Sequence, residues 1–249
     1  MPKMNDFYEE YWRWREDNWN LHKMGIVAER HKFAVKVICE ELKINSTKEN
    51  INVLDIGCGE GIFGKILRER VKSGVSIVGV DISKKAIELS KPFYDEVHTL
   101  NVDEVRLSNI FNTKFNFVIC FEVMEHIIYP ERFLEEIYTL LKNDGKLITS
   151  IPNFAFLKNR ITVLRGNFPY EQHIFHSAEH IHYFTFYSFK KLLNEKGFNV
   201  ISTEGSNFAL LPPLTLLPLD IQKRIFYKFP NLFGKQIVFY CEKKLIGDK

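Results

Sequence analysis

Cysteine is scarce, and its spacing removes two chemistries at once. The four cysteines, Cys39, Cys58, Cys120 and Cys241, are scattered through 249 residues with no C-x-x-C pair. Neither a zinc ribbon nor a thioredoxin-type redox motif is encoded. Cys58 and Cys120 lie in apolar, strand-like surroundings, where a free thiol behaves as a small hydrophobe, and the pattern suits a reducing cytoplasm. No apolar run reaches the roughly 18–20 residues of a membrane span. The longest, Leu210 to Leu219, is short and broken by three prolines. The first residues are charged throughout and lack an apolar stretch, which predicts no secretory leader. An excess of one charge is also missing: 34 basic residues face 31 acidic ones, a net of +3. A concentrated basic face is what nucleic acid requires, so no nucleic-acid partner is expected. Internal repeats and low-complexity tracts are absent as well.

What is present is an ordinary globular composition, with 45% hydrophobic and 26% charged residues, enough to bury a sizeable core in one large domain. Residues 5–43 read as helical and rich in aromatics. An alternation follows: strand Asn52 to Gly57, helix Ile62 to Val71, strand Ser76 to Asp81, and a helix capped by Ser83 through about Ser90. Next come strand Val97 to Val102, strand Phe115 to Phe121, a helix opened by Pro130 and ended by Asn143-Asp144-Gly145, and strand Lys146 to Ile151. Strands that alternate with helices and are apolar along their whole length predict an α/β, doubly wound, mostly parallel sheet with helices on both faces. The period is lost over residues 153–184. A helix resumes near Ser188 and ends at Gly197, and Phe198 to Thr203 and Gln236 to Cys241 read as two last strands. The expected layout is one domain: a helical cap over 1–44, a ligand-binding core over 45–152, an insertion and helix over 153–197, and final strands over 198–249.

The segment from Val53 to Lys65 carries the chemistry, and three glycine loops compete for it. A dinucleotide fingerprint needs G-x-G-x-x-G, but counting from Gly57 places Ile62 at the third glycine. A P-loop fits from Gly59 to Lys65, yet Ile66 stands where a hydroxyl must hold magnesium. The pattern D-x-G-x-G-x-G, formed by Asp55, Gly57, Gly59 and Gly61 after a first strand, is complete. Asp81 at the end of the second strand is placed to accept hydrogen bonds from ribose hydroxyls.

Asp55 to Gly61 resembles motif I of the class I S-adenosylmethionine-dependent methyltransferases. Phe121-Glu122-Val123-Met124-Glu125-His126 resembles the E-V-x-E-H motif of one large branch. Asn143 to Ile148 resembles that branch's turn before strand five, and His180 to Thr185 with Phe189 to Phe198 resembles the segment that closes its site. Together these cover about residues 45–205. The resemblance implies S-adenosylmethionine as cofactor, S-adenosylhomocysteine as product, and a seven-stranded sheet. It implies donor contacts from Asp55, Gly57, Cys58, Gly59, Gly61, Asp81, Ile82, Asp103, Phe121 and Glu122, with Ile82 against the adenine face and Asp103, at the end of strand three, on the adenine amine.

Histidine suits the base that removes the acceptor's proton, so His126, with His180, is the expected catalytic residue. A rival role for Glu122, Glu125, His126 and His180 is a divalent metal site, which the resemblance to quinone O-methyltransferases and small-RNA 2′-O-methyltransferases implies. His173 and His176 join His180 and His182 within ten residues as further candidates. Phe7, Tyr8, Tyr11, Trp12, Trp14 and Trp19, interleaved with Arg13 and Arg15, predict either a cover over the ligands or a face for a partner subunit, including a homodimer. Arg160 and Arg165, near Tyr170, suit an anionic acceptor or a solvated helix face. Residues 153–166 resemble bacterial enzymes of polysaccharide and small-metabolite pathways. The expected acceptor is therefore a small polar molecule, a nucleotide sugar or sugar phosphate above all. Three alternatives stand beside it: a quinone or lipid enzyme with 210–219 at a membrane, an RNA 2′-O-methyltransferase, and a binding module without catalysis.

Overall fold

The computed structural model describes residues 4–18, 28–44, 50–168, 180–208 and 214–244. Helices α1 (Met4–Asn18) and α2 (Glu29–Ile44) precede β1 (Ile51–Ile56), α3 (Ile62–Arg70), β2 (Val75–Asp81), α4 (Lys84–Ser90) and β3 (Glu96–Thr99). Then follow α5 (Leu107–Ile110), β4 (Phe115–Phe121), α6 (Pro130–Leu140), β5 (Leu141–Pro152) and α7 (Leu157–Leu164). The chain continues through α8 (Phe186–Glu195), β6 (Phe198–Phe208), α9 (Leu219–Lys228), α10 (Pro230–Phe233) and β7 (Gly234–Lys243). The strands form one sheet in the order β3-β2-β1-β4-β5-β7-β6. The pairs from β3 to β5 are parallel, and β7 runs antiparallel to both β5 and β6.

Side chains alternate across a strand, and the core divides accordingly. Leu54, Val118, Cys120 and Phe239 join one cluster with Phe133, Leu134 and Ile137 of α6 and Phe189 and Leu193 of α8. Their neighbours Val53, Phe117, Ile119 and Val238 join the other with Ala34 and Ile38 of α2 and Phe63 and Leu67 of α3. Both faces of the sheet are dry, which is why these strands lack a polar alternation. Local signals set the helix starts. The Ser83 side chain accepts from the Ala86 amide (3.2 Å), Pro130 occupies the first position of α6, and Thr185 with Ser188 forms a capping box on α8.

Three expected boundaries move. Strand β3 stops at Thr99, so Asp103 does not end it. Asn101 turns the chain there, its side chain accepting from the Asp103 amide (3.1 Å) and its carbonyl from Glu104 (3.0 Å). Helix α6 ends at Leu140, and Asn143-Asp144-Gly145 is no helix stop. It bulges from β5, whose pairing with β4 jumps from Phe115–Leu141 to Phe117–Lys146. Inside residues 153–184, α7 forms where no period was legible, because it buries none of its own side chains. Trp19, Tyr170, His173, His176 and the run from Leu210 to Pro213 lie outside the described residues.

Candidate active site

The strand order reverses at β1, between β2 and β4. Open α/β sheets bind ligands at that point, beyond the carboxyl ends of the strands. A cavity of about 1010 Å³ opens there. That is the upper end of the roughly 300–1,000 Å³ usual for one small-molecule site, so two ligands fit side by side.

The glycine loop forms one wall. Gly57 (φ +74°) and Gly59 (φ +54°) adopt left-handed backbone, which side chains resist. A Cβ on Gly57 would lie 2.4 Å from Val123, and one on Gly59 would lie 2.6 Å from the Trp12 indole. Gly61 serves packing instead: its Cβ would meet the backbone of Ser90 at 2.9 Å, and it does not line the cavity. Asp81 accepts from the Gly59 amide (2.9 Å) and the Ser83 amide (3.0 Å), joining the loop to the start of α4. Burial pushes its carboxyl up to about 6 against those bonds. Burial likewise raises Asp55 to about 7, with a hydrogen bond from Tyr94 opposing and the Asp81 charge adding to the rise. Cys58 and Ile82 line the same wall, and burial holds the Cys58 thiol well above its usual range. Asp103 also lines the cavity, one carboxylate oxygen taken by the Ile128 amide (3.0 Å).

Opposite the loop lies the end of β4. Phe121 sits edge-on to His31 at 5.5 Å. Glu122 is the one non-glycine residue in left-handed backbone among the described residues (φ +55°). Its two carboxylate oxygens accept from Ser150 Oγ and Gln236 Nε2, both at 2.7 Å. Glu125 is 1% exposed, and neither carboxylate oxygen has a hydrogen-bond partner among the described residues. Burial, then the charge of Glu122, drives its carboxyl far above the usual range. The Nε2 atoms of His126 and His180 stand 3.8 and 3.9 Å from Glu125 Oε1, and the two imidazoles meet at 4.9 Å.

The distant His180 arrives because the amides of Ile181 and His182 both donate to the Glu125 carbonyl, at 3.0 and 3.1 Å. Ligating atoms of Glu125, His126 and His180 lie within 4.8 Å of one another. Glu122, expected in that set, is not part of it, because its oxygens are already engaged. A buried carboxylate with two unpartnered oxygens beside two imidazoles fits a divalent cation.

The sequence reading missed several groups. Arg30 and His31, at the start of α2, line the cavity. Arg30 donates to Gln236 Oε1 (3.1 Å) while its Nε is buried without a partner among the described residues. Burial, then the charges of Arg30 and Arg15, lowers His31 to about 3 and keeps it neutral. The one available signal was an Arg-His pair at a helix start, and Gln236 had none. Helix α1 covers the loop. The Glu9 carboxylate accepts from the Lys84 and Lys85 amides, Arg15 pairs with Glu60 (3.1 Å), and Glu16 pairs with Lys85 (2.8 Å). Arg160 and Arg165 are exposed on α7 and do not line the cavity.

Comparison with known proteins agrees with this geometry. A family model described as a methyltransferase domain matches residues 28–203. The chain is 30% identical over 172 residues to a protein of Pelagibacter ubique named ubiquinone biosynthesis O-methyltransferase, covering 67% of this chain and 69% of that one. It is 28% identical to the mitochondrial protein of the same name from Dictyostelium discoideum, covering 66% of this chain and 57% of that one. Among solved structures, magnesium protoporphyrin IX methyltransferase from Synechocystis, with bound S-adenosylhomocysteine, superposes with a TM-score of 0.58 at 16% identity over 96% of this chain and 98% of that one. A methyltransferase from Archaeoglobus fulgidus does so with a TM-score of 0.56 at 20% identity over 84% and 94%. These last two likenesses are of fold.

Proposed function

The chain belongs to the methyltransferase-domain family, and from that premise we propose that it methylates a phenolic oxygen of a quinone-type acceptor, with S-adenosylmethionine as donor. The grouping of His126, His180 and Glu125 across the cavity from the glycine loop carries this reading. The donor is a cation, and the cavity wall is rich in carboxylates: Asp55, Glu60, Asp81, Glu122 and Glu125. Asp81 suits the ribose hydroxyls, Ile82 the adenine face, and Arg30 the donor's own carboxylate.

The donor supplies a methyl carbon on a sulfonium; the acceptor oxygen attacks it in line as the carbon–sulfur bond breaks, and the leaving group is a neutral thioether. Alignment therefore matters most. The chain's further task is to take the phenolic proton, which falls to His126, with His180 at its edge. A divalent cation held by Glu125, His126 and His180 would instead lower the pKa of a bound phenol, the two imidazoles then serving as ligands and not as base.

The acceptor is the point at which the expectation of a sugar gives way. The named relatives act in ubiquinone biosynthesis, and the acceptor side of the cavity is aromatic. Phe154 and Tyr183 line it with ring centroids 5.2 Å apart, Phe168 packs on both from outside the cavity, and Tyr8 stands edge-on to His126. Flat aromatic acceptors pack on such walls. The test is product mass spectrometry after incubation with donor and either dihydroxybenzoate-type phenols or nucleotide sugars. The phenol should gain one methyl group, and the gain should fall by about 10²–10⁴-fold in His126→Ala. Methylated nucleotide sugar with untouched phenol would overturn the assignment.

A further inference from the structure

Tyr94 is buried behind the glycine loop and takes no part in the chemistry above. It follows the short turn Lys91–Phe93 after α4. Its hydroxyl donates to Asp55 Oδ2 at 2.5 Å and accepts from the Gly64 amide at 3.3 Å. That amide belongs to the first turn of α3, whose donors have no partner within the helix. The ring reaches this position through a slot made by two missing side chains. A Cβ on Gly64 would lie 2.7 Å from the tyrosine ring, and one on Gly79 would lie 3.0 Å from it. Gly79 is the register partner of Asp55 across the β1–β2 ladder. Neither Gly64 nor Gly79 has a positive φ, so what the slot demands there is space alone. A glycine on α3, a glycine on β2 and a tyrosine beyond α4 thus converge on one carboxylate of the cavity wall.

We propose that Tyr94 is a positioning residue for the donor site, fixing the Asp55 carboxylate in one pose on the cavity wall. The inference rests on the donor reading given above. Three other titratable groups face Asp55: Asp81 from β2, Cys58 from the glycine loop and Cys120 from β4. Asp81 works against ionisation of Asp55, and the Tyr94 hydroxyl works for it. Without the hydroxyl, Asp55 both loses its anchor and holds its proton to higher pH, and a cationic donor meets a neutral, mobile acid.

Tyr94→Phe keeps the ring in its slot and removes only the anchor. Carboxyl ¹³C NMR of the unliganded protein should place the Asp55 titration midpoint higher in the variant than in the wild type. Calorimetry should find S-adenosylmethionine bound roughly tenfold more weakly at neutral pH, the loss of one hydrogen bond to a charged group. The acid limb of the affinity profile should move to higher pH, while turnover at saturating donor stays near the wild-type value. In an Asp55→Asn background, Tyr94→Phe should add almost nothing. Gly79→Ala, which crowds the ring but spares the hydroxyl, should reproduce the affinity loss. Wild-type uptake of S-adenosylmethionine together with an unchanged midpoint and affinity in Tyr94→Phe overturns the role of Tyr94 alone. Wild-type protein that binds no donor removes the donor reading, and this proposal with it.

Discussion

Glu125 stands out among the buried acids. A carboxylate buried with no hydrogen-bond partner among the described residues is unstable as an anion, and burial accordingly raises its pKa. Two outcomes separate a metal site from a merely neutral acid. If Glu125, His126 and His180 hold a cation, Mn²⁺ should raise the melting temperature of the wild type and leave Glu125→Gln unmoved, read by differential scanning fluorimetry. If the same shift appears in both proteins, the ion binds elsewhere. Asp55 supplies a pH dependence. Its carboxyl is raised to about 7 from an ordinary 3.8, so the neutral form favours folding. That contribution is complete below about pH 4 and is lost as pH climbs through 7. At 1.36 kcal/mol per pH unit it is on the order of 4 kcal/mol. Asp55→Asn should therefore flatten the stability profile between pH 4 and 7 in denaturant titrations. Donor binding has the opposite sign, because a cation favours the ionised acid. Affinity should rise from pH 5 to 8, with protons released, measurable by calorimetry in two buffers of different ionisation enthalpy. Asp55, Asp81 and His126 were legible because a strand end and a short motif place them locally. The engagement of Glu122 was not, since its partners Ser150 and Gln236 lie 28 and 114 positions away.

Among the elements, α1 has the clearest consequence. Glu9, Trp12, Arg15 and Glu16 share one helical face, and each touches the glycine loop or the start of α4. Helix and loop together close over the donor wall. Trp12→Ala should speed release of S-adenosylhomocysteine in stopped-flow measurements more than it slows uptake, because it removes cover without altering the carboxylates. An unchanged release rate would show that α1 is bystander packing. Aromatic spacing in the sequence allowed either a cover or a subunit face, and a helix alone does not say what lies beneath it. The edges of β3 and β5 were misread for a related reason. Asn101 turns the chain through hydrogen bonds to Asp103 and Glu104, Gly145 packs closely on Leu141 and Lys142, and composition does not distinguish a bulge from a helix stop.

The described residues form a sheet with a dry core on each face and a large opening at the point where strand order reverses. This much was legible, because continuous apolar strands alternating with helices admit few other packings. The aromatic cluster beside the cavity was not, since it joins Phe154 to Phe168 and Tyr183, and no short motif encodes that meeting. A ligand that binds only the folded chain stabilises it by mass action. Saturation at 100 times the dissociation constant should add about 2.7 kcal/mol, seen as a higher denaturant midpoint with S-adenosylhomocysteine present.

Strand β7 lies between β5 and β6, although it is the last of the seven to be made. On the ribosome, β6 emerges with no neighbour to join, and the wall that Gln236 lends to the cavity does not yet exist. A chain without residues 234–243 leaves the edge of β5 unpaired and the pocket short of one wall. The pocket is complete only once β7 has paired with both of its neighbours.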